Sequence, residues 1–147
     1  MLRFQSSSRK WWNKPLVDLG GRLLPAELAI LEAELGPGEQ GAWINSRGVK
    51  SGVVDLVAET EGADIGFKAE RASLPAFVSE ALKAVYEKSG LKKGCPDLVI
   101  WDSESRCLRL VEVKCPHWDQ LTVEQIEFMR AARDLGIPTS IAEWEFV

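Results

Sequence analysis

The stretch that decides the fold runs from Gly94 to Lys114 and reads GCPDLVIWDSESRCLRLVEVK. It contains two largely apolar runs, 97–101 and 107–114, separated by the polar residues 102–106. Two such runs joined by a short turn-forming break are typical of an antiparallel β-hairpin. If the turn is centred between Glu104 and Ser105, Asp97 lies directly opposite Glu112.

The end of this hairpin brings together the side chains of a divalent-metal site. Residues two apart on a strand point to the same side of the sheet, so Glu112 and Lys114 share a face. Directly opposed residues have Cβ atoms roughly 5 Å apart, so the carboxylates of Asp97 and Glu112 repel unless a cation lies between them. Two carboxylates, the backbone carbonyl of Val113 and water form an all-oxygen site that suits Mg²⁺ or Mn²⁺.

Such a site beside a lysine fits the cleavage of phosphodiesters. The metal lowers the pKa of a bound water and stabilises charge that develops on the phosphate. Lys114 then holds the attacking hydroxide or contacts the scissile phosphate as a point charge. The alternative interpretation is a surface hairpin with an ordinary Glu–Lys pair.

A helix predicted near 122–135 contributes one more candidate, Gln125. Gln125 falls on an apolar stripe of helical spacing, so its amide is expected to point toward the sheet, where Lys114 or an active-site water would satisfy it. Thr122 and Gln125 also match a capping box, in which the glutamine side chain reaches back to the first amide of the helix. Both interpretations stay open at the level of sequence.

These residues carry a family resemblance. Gly94-Cys95-Pro96-Asp97 followed by Glu112-Val113-Lys114 resembles the core of the PD-(D/E)XK nuclease superfamily, and with residues 115–116, 119–122 and Gln125 the pattern looks like the VRR-NUC family. The resemblance covers about residues 80–142. It implies a restriction-endonuclease-like α/β domain and catalytic roles for the candidates above. The implied activity is that of a metal-dependent, structure-selective DNA endonuclease for branched, flap or Holliday-junction DNA. The family usually has glycine after the motif lysine, where this chain has Cys115.

A further carboxylate often comes from an N-terminal helix in this superfamily. The helices predicted near 24–36 and 74–89 offer Glu27 and Glu80 as the candidates. The alternative for either residue is a solvated charge on the outer face of its helix.

The charge balance of −4 does not by itself indicate a nucleic-acid partner. Basic residues nevertheless cluster, with Lys92 and Lys93 just before the hairpin and a basic, tryptophan-containing arm over residues 1–20 that is expected to be flexible. Both clusters can hold phosphates, and the tryptophans can stack on unpaired bases. The alternatives are a helix-end loop and a frayed tail.

Length and composition favour a single domain over residues 1–147. We expect a small α/β fold with a mixed sheet of four or five strands and the hairpin at its centre, flanked by the three helices. No apolar run approaches the ~20 residues of a membrane span. The 3 cysteines, an odd number, indicate a reducing compartment, so a cytoplasmic location is expected, in a bacterium or a phage-infected host. A zinc site built from Cys95, Cys107, Cys115 and His117 is the weaker interpretation, because the chain has no Cys-x-x-Cys pair.

The expected partners are structured DNA and a second copy of the chain, because one catalytic centre cuts one strand and two-fold symmetry suits a junction. Two alternative functions remain. One is a non-catalytic module that binds nucleic acid or protein on the same fold. The other is an exonuclease or an RNA nuclease.

Overall fold

The computed structural model describes residues 1–11, 14–44, 57–59, 68–70 and 74–147. These residues form three helices and nine strands. In chain order they are β1 (Leu2–Trp11), β2 (Lys14–Leu19), β3 (Arg22–Pro25), α1 (Ala26–Glu34), β4 (Glu39–Trp43), β5 (Val57–Glu59), β6 (Lys68–Glu70), α2 (Ala76–Ser89), β7 (Leu98–Asp102), β8 (Cys107–Lys114), α3 (Val123–Asp134) and β9 (Thr139–Phe146).

The main sheet of the described part has seven strands in the order β3-β2-β1-β9-β8-β7-β4. Strand β9 runs parallel to both β8 and β1, whereas β7 is antiparallel to both of its neighbours, β4 and β8. The mixed α/β class is therefore confirmed, but the expected four or five strands are too few. The addition comes from residues 2–25, which form the ribbon β1–β3 on the β9 side of the sheet in place of the expected arm. This ribbon lies against an edge that would otherwise be exposed.

The central hairpin has the predicted register. Leu98 pairs with Val111, Trp101 with Leu108 and Asp102 with Cys107, so the next position in the ladder sets Asp97 opposite Glu112. The Asp102 carboxylate accepts the backbone N–H groups of Glu104 at 2.9 Å and Ser105 at 3.3 Å, which is the local turn chemistry expected of aspartate. This turn fixes the pairing at the far end of the strands, where the candidate site lies.

The helices cover both faces of the sheet. On one face α1 packs against the odd-numbered residues of β8, with Leu28, Ile30, Val111, Val113 and Trp144 in one buried cluster. On the other face α2 and α3 pack against Val99, Trp101 and Leu110, with Leu82, Val85 and Phe128 in a second cluster. The even-numbered residues at the end of β8 therefore lie beneath α3.

The three predicted helices are confirmed with small changes of their ends. Pro25 and Pro75 precede α1 and α2, and Gly90, with φ +70°, ends α2 in the left-handed conformation that favours glycine. Helix α3 returns the chain so that β9 lies parallel to and beside β8 of the hairpin.

The first half of the chain is described in part. Trp43 ends β4, and residues 45–56 lie outside the described set. Lys68–Glu70 pairs with Val57–Glu59 in a separate two-stranded sheet. No helix in the described ranges has the length and apolar character needed to cross a membrane.

Candidate functional site

Glu112 and Lys114 share a face of β8, as the strand period predicted. Lys114 Nζ lies 3.1 Å from Glu112 Oε1. Both residues are buried, with 1% of Glu112 and 7% of Lys114 exposed. Charged groups are seldom buried to this extent without a partner. Each residue of this ion pair therefore supplies the opposite charge that the other needs at this strand end.

Gln125 does both of the things that the sequence left open. Its Oε1 accepts the backbone N–H of Thr122 at 2.9 Å, and its own N–H donates to Thr122 Oγ1 at 3.1 Å, which completes the capping box of α3. Its Nε2 donates to Glu112 Oε1 at 2.7 Å. The protein partner is Glu112 and not Lys114, because the cap holds the amide over the carboxylate.

Asp97 lies where β7 begins and closes the hairpin ladder with its side chain. Its Oδ2 accepts the backbone N–H of Val113 at 3.0 Å, and its backbone carbonyl accepts the N–H of Ile44 at 2.6 Å. Asp97 is thereby tied to β8 and to the residue that follows β4. The Asp97 carboxylate and the Glu112–Lys114 pair thus meet at one end of the sheet.

Asp119 is a contact of this site to which the residue pattern assigned no role. The chain turns sharply after β8, where the N–H groups of Trp118 and Asp119 both donate to the carbonyl of Cys115. The turn brings Asp119 Oδ1 to 3.2 Å from Lys114 Nζ. The only signal in the sequence was its place in the family-like run 119–125, since no periodicity extends across a turn.

Burial and charge act against each other on this pair. Burial raises the pKa of the Glu112 carboxyl, while the hydrogen bond and the charge of the Lys114 ammonium oppose that rise. Burial also acts to lower the pKa of Lys114, but the hydrogen bonds and charges of Glu112 and Asp119 outweigh it and raise that pKa. Lys114 is therefore held as an ammonium between two carboxylates.

One atom of the site has no hydrogen-bond partner within the described part of the chain. Glu112 Oε1 takes both Gln125 and Lys114, whereas Glu112 Oε2 is buried and accepts no hydrogen bond from any described residue. A buried carboxylate oxygen without a donor costs free energy that a cation would recover. The donor set of Glu112 with Asp97 consists of carboxylate oxygens only, which fits a hard divalent cation. Within the described ranges no three His, Cys, Asp or Glu side chains form a metal-ligating cluster, so backbone and water oxygens would complete the coordination.

A small cavity of about 100 Å³ lies on the α1 side of the same strand end. Glu27, in the first turn of α1, lines it together with Val113, Asp119 and Trp118. The two N-terminal-helix candidates are therefore separated by the fold, because Glu80 lies exposed on α2, on the other side of the sheet. Asp119 connects the cavity to Lys114.

The cysteines do not gather into a zinc site. Cys95 is buried on the α2 and α3 side, Cys115 is buried on the α1 side, and Cys107 is exposed at the hairpin turn. His117 is exposed and lies 3.1 Å from Glu145 Oε2. Cys115 is buried in the cluster on the α1 side, on the opposite face of the strand end from Lys114.

Lys92 and Lys93 are exposed in the loop before the hairpin. Lys93 Nζ lies 3.6 Å from Glu124 Oε1, at the start of α3. The loop at Gly94 and the first turn of α3 approach so closely here that a Cβ on Gly94 would lie 2.6 Å from the carbonyl oxygen of Glu124. Gly94 therefore allows the loop before Asp97 to rest on the turn that carries Gln125. The basic arm residues Arg9, Lys10 and Lys14 have side chains outside the described set.

A family model agrees with this geometry. The model of the VRR-NUC domain matches residues 41–143, which include the 80–142 stretch that carries the resemblance. The chain belongs to the VRR-NUC family. This assignment agrees with the resemblance to the PD-(D/E)XK superfamily, and it identifies the chain as a nuclease-family domain.

Solved structures show the same fold. The chain is similar to paFAN1 in a crystal structure bound to 2-nt 5′ flap DNA with a gap, with a TM-score of 0.54 and 16% identity. A second structure of paFAN1, bound to 1-nt 5′ flap DNA with a gap, gives a TM-score of 0.51 and 15% identity. In both cases the match covers 84% of this chain and 35% of the other, so this VRR-NUC chain corresponds to about a third of that protein. No curated protein matches the sequence.

Proposed function

We propose that this VRR-NUC chain is a metal-dependent endonuclease that hydrolyses phosphodiester bonds in branched, flap or junction DNA. The observation that carries the proposal is the state of Glu112. This buried carboxylate has one oxygen held by Gln125 and Lys114, and the other has no donor among the residues that the structure describes. A carboxylate with one oxygen held by hydrogen bonds and the other unsatisfied is oriented to bind a cation through the unsatisfied oxygen.

Asp97 and Glu112 are the residues that would hold the ion, with the Val113 backbone carbonyl as a further ligand. Bound Mg²⁺ or Mn²⁺ would lower the pKa of an attacking water and stabilise the negative charge that develops on the phosphate. Glu27 lines the adjacent cavity with Val113 and is the residue we propose as the additional carboxylate.

Lys114 is the proposed electrostatic catalyst. Its ammonium contacts the attacking water or a non-bridging phosphate oxygen, where a fixed positive charge is most useful. Asp119 at 3.2 Å and Glu112 at 3.1 Å hold this ammonium in one position, and Gln125 orients Glu112 from above. Asp119 and Gln125 are therefore positioning residues in this scheme.

DNA with a break or branch is the proposed substrate. Membership of the family supports nucleic-acid cleavage, and the paFAN1 structures contain flap DNA. Lys92 and Lys93, exposed beside the loop that leads to Asp97, are the residues we propose to contact the DNA backbone. We further propose that the active form is a homodimer, since each site cuts one strand. Light scattering of the purified protein tests the dimer.

A cleavage panel tests the proposed function. End-labelled hairpin, 5′ flap, four-way junction, continuous duplex and RNA are each incubated with Mg²⁺, Mn²⁺ or EDTA. The wild-type protein is expected to cut flap or junction DNA only with metal. Glu112→Ala and Lys114→Ala are expected to reduce cutting by at least ~10²-fold while circular dichroism shows an intact fold.

Matched controls come from exposed residues of the same types. Glu104→Ala, in the hairpin turn, and Lys83→Ala, on α2, should cut like wild type. Cutting that survives in Glu112→Ala or Lys114→Ala would contradict the site. Release of single nucleotides only would make the chain an exonuclease, and cutting of RNA alone would change the substrate.

Metal binding separates an enzyme from a binding module. Isothermal titration with Mn²⁺ should give a heat that is present in wild type and in Glu104→Ala and is lost in Glu112→Ala. A non-catalytic module would show no affinity that depends on Glu112. The same heat in Glu112→Ala and wild type would place the ion elsewhere.

A further inference from the structure

Trp118 is the residue that the fold and the proposed reaction leave unexplained. It is 58% exposed, although it lies only four positions beyond Lys114, in the turn after β8. Among the side chains that the structure describes, no other aromatic residue is exposed to this degree. Single exposed apolar residues are common on protein surfaces, so exposure alone does not indicate a function for Trp118. Its position beside the candidate site does.

One side of the Trp118 indole packs against aromatic residues of β9. Its ring centroid lies 5.6 Å from that of Trp144 in an edge-to-face arrangement, and 6.0 Å from that of Phe146. Trp144 is itself buried and contacts Phe4, so the support reaches from β9 to β1. A large ring that is braced on one side and open on the other loses little conformational freedom when it binds a second ring.

The open ring borders the candidate site. Trp118 lines the same cavity as Glu27, Val113 and Asp119. Asp119, the next residue, contacts the Lys114 ammonium. The turn that brings Asp119 to Lys114 therefore also carries the indole of Trp118 at the border of the site.

We propose that Trp118 is the stacking platform for an unpaired nucleobase next to the scissile phosphate. This inference rests on the proposed nuclease function and adds a specificity element to it. In a continuous duplex both faces of each base are covered by neighbouring bases, so only an unpaired nucleotide can place its ring on the indole. Stacking on aromatic side chains does not depend on base identity, so the site selects for unpaired structure and not for sequence.

The test compares two DNAs and three ring variants. Steady-state cleavage with Mn²⁺ is measured on a 5′ flap and on a continuous duplex of the same length for wild type, Trp118→Leu and Trp118→Phe. Leucine keeps apolar contact with Trp144 and Phe146 but has no ring face. We expect Trp118→Leu to raise KM for the flap by roughly 5- to 100-fold, with a much smaller change in kcat and in duplex cleavage, and Trp118→Phe to retain most of the preference.

A spectroscopic readout reports the stacking itself. With 2-aminopurine as the unpaired base, wild type and Trp118→Phe should quench its fluorescence, and Trp118→Leu should not. Leu135→Ala, which trims an exposed apolar side chain at the end of α3, is the matched control and should behave as wild type.

The outcomes separate this inference from the function on which it rests. If wild type cuts neither DNA, the proposed nuclease function fails. If wild type cuts and Trp118→Leu keeps the same flap-to-duplex ratio and quenching, the stacking inference alone is overturned. Equal losses on flap and duplex would also overturn it, because they would assign Trp118 a general structural role.

Discussion

The two faces of strand β8 use ion pairs in opposite ways. On the α3 face, Glu112 and Lys114 are buried, and one oxygen of the Glu112 carboxylate has no partner in the described ranges. On the α1 face, Arg109 is about a quarter exposed, and its guanidinium donates hydrogen bonds of 2.7–3.2 Å to Glu34 and Glu39. A partly exposed and fully bonded cluster fastens elements together, whereas a buried and incompletely bonded one costs stability and is retained for chemistry.

Breaking the buried pair should have the largest effect. Lys114→Met leaves the Glu112 carboxylate buried without its cation, which should lower the free energy of unfolding by about 3–5 kcal/mol. The double variant Glu112→Leu with Lys114→Met replaces the pair by apolar side chains and should recover most or all of that loss. Urea denaturation in EDTA measures both, and neither variant should cut DNA.

Arg130→Met is the control for this comparison, because its pair with Glu127 is exposed on α3 and should contribute less than ~1 kcal/mol. A double variant that stays as unstable as Lys114→Met would mean that the polar pair holds the fold, and the contrast between the faces would be wrong.

The close contact between Gly94 and the first turn of α3 should give the second-largest effect. In Gly94→Ala the new methyl group would lie 2.6 Å from the carbonyl oxygen of Glu124, on a backbone with φ +112°. We expect a loss of roughly 2–3 kcal/mol in stability. The displaced α3 turn should also move Gln125 from Glu112 and reduce cleavage by about 10- to 100-fold.

Gly90→Ala is the matched control, since its φ is also positive at +70° but no atom lies within 4 Å of the added Cβ. It should lose about 1 kcal/mol through backbone strain and cut normally. Equal effects at Gly90 and Gly94 would show that backbone conformation, and not the contact with α3, is what matters.

The apolar part of the α1 face should affect stability alone. Val111 is fully buried against α1, so Val111→Ala should lower the free energy of unfolding by about 2 kcal/mol with little change in kcat. Ile141→Ala, at a 43% exposed position of β9, should lose less than half as much. A large fall in kcat for Val111→Ala at a temperature where it is folded would show that the two faces are coupled.

Sequence reasoning reached some of these features and missed others for physical reasons. The hairpin register followed from a turn-forming pentapeptide and the period of two, and both are local. The same is true of the capping box of Thr122 and Gln125. The ribbon β1–β3 was missed because its serine-rich first strand lacks apolar alternation and is defined by pairing with β9, which lies at the other end of the chain.

Side chains brought together by tertiary structure were the hardest to predict. The contact of Asp119 with Lys114 depends on the turn at 115–118, and Glu27 was separated from Glu80 only by the side of the sheet on which each helix packs. Gln125 was predicted as a cap or as a site residue, and its two ends allow both at once.

The Arg109 cluster gives the smallest effect, and it depends on pH. Hydrogen bonding to Arg109 lowers the pKa of Glu39 below its usual value of 4.5. A carboxylate with a lowered pKa in the folded state stabilises the protein above the unfolded-state pKa and loses this contribution as the pH falls through the folded-state pKa. Glu39→Gln should therefore lose about 0.5–1 kcal/mol at pH 7 and show a flatter decline of stability below about pH 4.5.

Thermal unfolding from pH 7 to pH 3 measures this change, with Glu127→Gln as the control in an exposed pair. Cleavage at neutral pH should be unaffected, because Arg109 lies on the opposite face of β8 from Lys114 and near the other end of the strand. If the stability of Glu39→Gln fell with decreasing pH in parallel with that of wild type, the Arg109 cluster would not be what stabilises the α1 face. The contrast would then depend on the buried pair alone.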